Sequence, residues 1–307
     1  MTLNNLLSKY TGLIEVILQK YKESHRFYHN WEHIEYMLKL AEERGILTEE
    51  LFLSIIFHDI IYDPKAKDNE EQSANLFYSF FKNNVNVNTN LIKQAILETK
   101  NHQSTSELSK QLCELDLHNL QDFDSFYDNS MKIFKEYQFV DYKIYKAERI
   151  KILEKYNVNP LFIKAIEKFK PNIAVYPGSF NKFHKGHYNI LLKAEKIFDK
   201  VIIARGVNPE KNNELSPLPE ILKYHQIEYY DGLLTDFIDS LGYDVTIIRG
   251  LRNSTDLQYE LTQYRYMEEL KPDIKVISIF CDKEYEHISS SNIRLLEKYN
   301  KADNYYL

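Results

Sequence analysis

Apolar positions recur at helical spacing through the first 170 residues of the chain, then give way to short β-branched runs near Pro171. In Trp31-Glu-His-Ile-Glu-Tyr-Met-Leu-Lys-Leu-Ala41 and Leu91-Ile-Lys-Gln-Ala-Ile-Leu97 the apolar side chains fall three and four residues apart, along one face of a helix. No convincing period of two interrupts this half, so it reads as all-α, with Asn83-Asn-Val-Asn-Val-Asn-Thr-Asn90 as a polar loop. Beyond Pro171 the runs Asn172–Tyr176, Val201–Ala204, Val245–Ile248 and Val276–Phe280 predict strands separated by helical stretches. Such alternation predicts βαβ units, a mostly parallel sheet, and ligands beyond the carboxyl ends of its strands. The expectation is two domains, residues 1–170 all-α and residues 171–307 α/β, a natural division of 307 residues.

Charge narrows the range of partners. The net charge is -6 and the pI about 6.0, with lysines scattered among acids, which argues against a nucleic-acid partner. The two cysteines, Cys113 and Cys281, lie in different halves and suggest neither a disulfide framework nor a cysteine metal site. A reducing cytoplasm fits that usage. The N-terminus lacks a basic stretch leading into a continuous apolar one, and no segment approaches 18 uninterrupted apolar residues, so neither export nor membrane insertion is expected.

Chemistry concentrates in two places. In the second half, Ile173-Ala-Val-Tyr-Pro-Gly-Ser-Phe180 is an apolar strand breaking at a Pro-Gly turn, followed by Asn181-Lys-Phe-His184-Lys-Gly-His187 opening an amphipathic helix with apolar face Ile190, Leu191, Ala194, Ile197 and Phe198. Gly186 lets main chain approach a ligand, and a histidine beside the free N–H groups and positive dipole end of a helix suits an anion. A second helix start, Ile288-Ser289-Ser290-Ser291-Asn-Ile-Arg294, offers hydroxyls and an arginine to phosphate oxygens. In the first half, His29 and His33 stand one helical turn apart, and Phe57-His58-Asp59 follows an apolar run that looks buried.

The second half carries, in order, Tyr176-Pro-Gly-Ser-Phe180, His184-Lys-Gly-His187, Asn208-Pro-Glu-Lys211, Asp231-Gly-Leu-Leu-Thr-Asp-Phe237, Arg249-Gly-Leu-Arg252, Asp256-Leu-Gln-Tyr-Glu260 and the Ile-Ser-Ser-Ser helix start. This set resembles phosphopantetheine adenylyltransferase of the His-x-Gly-His nucleotidyltransferase superfamily. The resemblance implies a Rossmann-like domain that transfers AMP from ATP, accompanied by Mg²⁺, to 4'-phosphopantetheine, giving dephospho-CoA and pyrophosphate in coenzyme A biosynthesis. It also implies a homo-oligomer. By the same resemblance His187 donates to the α-phosphate, and Ser179 with Lys211 holds the attacking phosphate. His184 and Gly186 belong to the nucleotide site, Arg252 and Ser289, Ser290 and Ser291 take the β- and γ-phosphates, and Glu260 contacts the nucleotide. Arg249 helps bind phosphopantetheine, and the Asp231–Phe237 segment with Leu234 faces its arm. Asn181-Lys182 replaces the family's Asp-Pro, and Leu218-Pro-Glu-Ile-Leu222 replaces its Leu-x-Glu-Arg, with Lys182 adding positive charge near the phosphates.

In the first half, Tyr28-His29-Asn-Trp-Glu-His33, Phe57-His58-Asp59, Asn69-Glu-Glu-Gln-Ser73-Ala74 and Glu114-Leu-Asp116 resemble the HD-superfamily metal-dependent phosphohydrolases from about Tyr21 to about Arg149. The resemblance implies the ligand set His33, His58, Asp59 and Asp116, with His58 and Asp59 adjacent on one helix. Imidazoles with carboxylates suit a divalent metal that activates water, among Mn²⁺, Fe²⁺, Co²⁺, Ni²⁺ and Mg²⁺. His29 would support the site or face substrate, Glu70 would position water or move a proton, and His102, after Thr99-Lys100, would face substrate phosphate with Lys100 beside it. The whole reads as a bifunctional cytoplasmic enzyme. Two other readings stay open: adenylyl or cytidylyl transfer to another phosphorylated acceptor, and a helical domain that senses a nucleotide or metabolite without turnover.

Overall fold

The computed structural model describes residues 2–207 and 216–307. Its helical portion comprises α1 (Leu3–Lys9), α2 (Thr11–Ile17), α3 (Trp31–Glu43), α4 (Glu49–Phe57), α5 (Asn69–Phe81), α6 (Thr89–Glu98), α7 (Glu107–Asp116), α8 (Phe123–Glu136), α9 (Tyr142–Lys155) and α10 (Pro160–Lys168). The α/β portion runs β1 (Ile173–Gly178), α11 (Lys185–Ala194), β2 (Lys200–Val207), β3 (Gln226–Asp231), α12 (Leu234–Leu241), β4 (Thr246–Leu251), α13 (Ser254–Leu270), β5 (Lys275–Phe280) and α14 (Ser290–Glu297). The all-α half followed by a parallel α/β half is the class that the periodicity predicts. Two compact units form, residues 1–137 with 146–167, and residues 138–145 with 168–307.

In the first unit, α3 begins where Asn30 accepts from the N–H groups of Glu32 and His33, and it buries Ile34, Met37, Leu38 and Ala41 along with His33. Helix α4 is buried at every position from Leu51 to Phe57, the pattern of a central helix. Phe57, Phe77 and Phe81 pack edge-on and stacked in the core that surrounds it. Asn88 caps α6, so the end of the expected Asn83–Asn90 loop is already helical.

The second unit carries a five-stranded parallel sheet ordered β3-β2-β1-β4-β5. Strand order reverses between β1 and β4, the switch point at which such sheets open a crevice for ligands. Strand β3 is absent from the sequence expectation: it lies at the sheet edge, where Tyr229 and Asp231 face solvent, and its polar content masks the strand pattern. Buried Lys200, at the start of β2, donates from Nζ to the carbonyls of Gln138 and Val140, and burial pushes its ammonium down to about 7. The segment 138–145, upstream of the expected boundary at 170, therefore satisfies a buried cation of this unit. Among the described residues no helix is long and apolar enough to cross a membrane.

Candidate functional site

In the helical unit, His33, His58, Asp59 and Asp116 come together, with their potential ligand atoms all within 4.8 Å of one another. His33 lies in the first turn of α3 and Asp116 is the last residue of α7. His58 is the C-cap of α4 and Asp59 lies beyond it, so the pair is not carried within one helix as expected: α4 ends and the turn aims both side chains. His29 likewise precedes the α3 cap instead of lying one turn below His33. His58 Nδ1 donates to the Ile55 carbonyl at 2.8 Å, which leaves Nε2 as the lone-pair nitrogen. That Nε2 is buried, 3.0 Å from Asp59 Oδ2 and 3.7 Å from Asp116 Oδ1, yet it makes a hydrogen bond with neither. Buried polar atoms are rarely left so. Two imidazoles and two carboxylates converging without mutual hydrogen bonds at His58 fit a divalent cation.

Electrostatics express the same convergence. Burial works against charge on His58, but the Asp59 and Asp116 carboxylates override it and raise the imidazole well above its ordinary value. Burial opposes ionisation of Asp59 and Asp116 as well, yet contacts with His58, and for Asp116 with His102 and His33, hold both carboxyls below their ordinary range. Asp116 Oδ1 sits 3.2 Å from His33 Nε2 and Oδ2 2.9 Å from His102 Nε2. Tyr156 lies 2.9 Å from the other ring nitrogen of His102, which adopts a left-handed backbone with φ 53°. Glu114 is exposed and takes no part.

Several neighbours carry no local sequence signal. Glu136, 1% exposed, accepts from the backbone of Tyr28 and His29 through one oxygen and meets His29 Nδ1 at 2.6 Å and Tyr62 Oη at 2.7 Å through the other. Despite burial, that carboxylate raises His29. Buried Arg26 donates to the carbonyls of His29, Asp59 and Ile60, tying the two ligand-bearing turns together. Asn69 and Ser73 clamp the backbone of Asp63 and Ile61, so their motif holds the turn after Asp59. Glu70 is half-buried, with its carboxyl raised by burial and by nearby Asp59. Lys100 turns outward to the Glu71 carboxylate and the Lys67 carbonyl, both at 2.6 Å.

In the α/β unit a cavity of ≈ 590 Å³ opens beyond β1 and β4 and is lined by His184, Gly186, His187, Arg252, Glu260 and Ser289–Ser291. The helix opens earlier than expected: His184 is the N-cap of α11, its Nδ1 accepting the His187 N–H at 3.3 Å, and the two imidazoles stack 3.6 Å apart. The helix ends at Ala194, leaving Ile197 exposed and Phe198 buried beyond it. A Cβ on Gly186 would meet the His184 ring at 3.1 Å, so this glycine makes room for the capping imidazole. Burial, then the Arg252 charge, lowers His184 to about 4; burial, His184 and Arg252 hold His187 well below its ordinary value. His187 Nδ1 is buried without a hydrogen-bond partner among the described residues.

Arg252 is gripped by Asp256 through paired 2.8 Å contacts, leaving Nη1 with one long 3.5 Å contact to the Ile288 carbonyl. Ser289 caps α14 by accepting from the Asn292 N–H, while Ser290 and Ser291 stand free of that duty, Ser291 receiving Arg294. Ser179, Leu234 and Arg249 are not in this wall. Arg249 instead pairs with Glu260 at 3.1 Å beside an adjoining cavity of ≈ 500 Å³ that the two share. Ser179 is exposed, and its carbonyl and that of Phe180 accept from buried Arg205 of β2, which faces Gly178 in register. A Cβ on Gly178 would strike the Phe180 ring at 2.7 Å. Sequence reasoning missed Arg205, whose one signal is a charge directly after the apolar run Val201–Ala204. Lys182 is drawn to Glu297 at 2.7 Å. Lys211 lies outside the described residues.

Residues 175–296 match the cytidylyltransferase-like family. The chain is 32% identical over 143 residues to phosphopantetheine adenylyltransferase of Rhodopirellula baltica, covering 44% of this chain and 79% of that relative. It is 35% identical over 130 residues to phosphopantetheine adenylyltransferase of Clostridium botulinum, covering 39% of this chain and 79% of that relative. The chain's C-terminal half belongs to the phosphopantetheine adenylyltransferase family. It is a nucleotidyltransferase domain, and the switch-point cavity with its two stacked histidines is lined by part of the second-half motif set.

Proposed function

We propose that the α/β unit joins the AMP part of ATP to 4'-phosphopantetheine, giving dephospho-CoA and pyrophosphate. The cavity beyond β1 and β4 carries this reading, because neutral imidazoles, a held arginine and helix-start hydroxyls face one space at the sheet's switch point. An acceptor phosphate oxygen forms a bond to the α-phosphorus as the bond to the bridging oxygen of the β-phosphate breaks, and pyrophosphate departs. His187 donates to the α-phosphate as charge develops, from a position that adds no resting cation beside Arg252. Arg252, oriented by Asp256, offers Nη1 to the β- and γ-phosphates together with Ser290 and Ser291. Ser179 and Lys211 hold the acceptor phosphate, with Arg249 and Leu234 toward its arm; Glu260 steers Arg249 as well as facing the nucleotide. Mass analysis after incubation with ATP, Mg²⁺ and 4'-phosphopantetheine tests the assignment: product with another phosphorylated acceptor and none with this one overturns it.

For the helical unit the reading is a metal-dependent phosphohydrolase, supported by the unpartnered His58 Nε2 among converging carboxylates. When bound, a divalent metal would supply Lewis acidity and a nucleophilic water. His33, His58, Asp59 and Asp116 would hold it, His102 would face substrate phosphate beside Asp116, and Glu136 orients His29. Metal analysis with phosphate-release assays separates this from a sensing module, which would bind metal and ligand without turnover.

A further inference from the structure

A cavity adjoins the metal-ligand cluster. It measures ≈ 240 Å³, and His33 and Asp116 form part of its wall. Tyr28, Asn119 and Asn129 also face it, and none of their side-chain polar groups hydrogen-bonds to a described residue. Asn119 is 8% exposed and Tyr28 is likewise buried, with its ring 4.7 Å from that of His33. Asn129 stands half-buried on α8. These neutral donors and acceptors line the cavity and are open to a ligand there. The one lysine in the wall, Lys132, is paired with Glu32 at 3.3 Å.

We propose that this cavity binds the alcohol part of the hydrolase substrate, and that the substrate is a phosphate monoester of a small, uncharged, hydrogen-bonding alcohol of sugar or nucleoside type. The inference rests on the phosphohydrolase reading. The phosphate lies at the His33–Asp116 end, where cluster and cavity share a wall, and the alcohol extends toward Asn119 and Asn129. Each carboxamide offers both a donor and an acceptor, the complement of hydroxyls or of a base edge, and the Tyr28 face suits a ring. A polyphosphate chain would need further basic partners, and the single lysine already has a carboxylate. The volume also falls below the several hundred Å³ of pockets for larger ligands. In the reaction a water oxygen bonds to phosphorus, the bond from phosphorus to the alcohol oxygen breaks, and that oxygen leaves protonated.

The test uses the full chain loaded with Mn²⁺ and compares nucleoside 5'-monophosphates, sugar monophosphates, nucleoside triphosphates and phenyl phosphate, whose leaving group has no further hydrogen-bonding group. A nucleoside or sugar monophosphate should exceed phenyl phosphate in kcat/KM, and whichever does identifies the alcohol. Asn119→Leu and, separately, Asn129→Leu should reduce that advantage by roughly tenfold to a hundredfold, with metal content and phenyl phosphate turnover unchanged. Asn129, half-exposed, supplies a folded variant even where Asn119→Leu does not fold. In the metal-free protein the preferred nucleoside or sugar alone should raise Tm in the wild type and not in the variants. Equal or better turnover of phenyl phosphate, or variants that change nothing, overturns the cavity assignment and leaves the hydrolase reading standing. Failure to hydrolyse any of the esters removes the hydrolase reading and the inference with it.

Discussion

Histidine is pushed in opposite directions in the two units. His58 lies among carboxylates that raise it well above its ordinary value; His184 lies beside another imidazole and an arginine and is lowered to about 4. Both are buried, so burial alone does not decide the sign. Surplus carboxylate makes the helical site a place for a cation. Arginine and helix-start donors around neutral imidazoles make the α/β site a place for anions. Among the described residues each site also leaves one histidine nitrogen buried and without a hydrogen bond, Nε2 of His58 and Nδ1 of His187.

The sharpest way to break the contrast is Asp59→Ala. It removes a charged ligand from the cluster, so metal affinity should fall well beyond the roughly 10–100-fold lost with a supporting residue. Nucleotidyl transfer should stay within twofold. Metal stoichiometry equal to wild type, measured by elemental analysis, would remove Asp59 from the ligand set.

His187→Ala is the counterpart in the anion site. Its kcat should drop on the order of a hundredfold or more while ATP affinity changes little, because the donor acts on charge that develops in the transition state. A variant with wild-type kcat removes that role.

Glu136→Ala probes the buried support of the cation site. It strands His29, Tyr62 and two backbone N–H groups, at a cost of about 3 kcal/mol or more in unfolding free energy. Glu136→Gln keeps acceptor capacity and should lose less. Urea unfolding that finds the Ala and Gln variants equally stable contradicts this.

Lys200 tests the division between the units. A fragment of residues 171–307 lacks the Gln138 and Val140 carbonyls that accept from Lys200, so the fragment should fold with a lowered Tm that Lys200→Met partly restores. An unshifted or lower Tm on that substitution argues against the buried cation as the weakness.

The smallest effect concerns pH. His184 is lowered from 6.5 to about 4, so its ring stays neutral in the folded protein while the unfolded chain takes up a proton below 6.5. It therefore contributes a stability loss that grows as pH falls from 6.5 toward 4 and is absent above that window. Nucleotidyl transfer should show no acidic limb near 6.5 from this residue; a limb there that vanishes in His184→Asn would contradict the environment described.

Part of each site has a local signature in the sequence. The His-Asp motifs name four side chains that the fold gathers, and of the second-half motif residues His184, Gly186, His187, Arg252, Glu260 and Ser289–Ser291 line one cavity, since ligand chemistry restricts residue type and motif spacing is a local property. Glu136 was not legible, because a carboxylate on an amphipathic helix looks like any solvated one until α8 buries it against His29. Lys100 and Lys182 are charges beside motifs, and only the tertiary structure pairs them with Glu71 and Glu297.

The sequence by itself determined the succession of an all-α and a parallel α/β half, because periods of 3.6 and 2 are set by backbone geometry within each segment. It also determined which residue types could bind a metal or a phosphate. Only the tertiary structure decided that β3 closes one sheet edge, that segment 138–145 serves Lys200, and that Arg205 holds the turn bearing Ser179. Those outcomes depend on buried polar groups finding partners far away in the chain, and no local pattern encodes such a pairing.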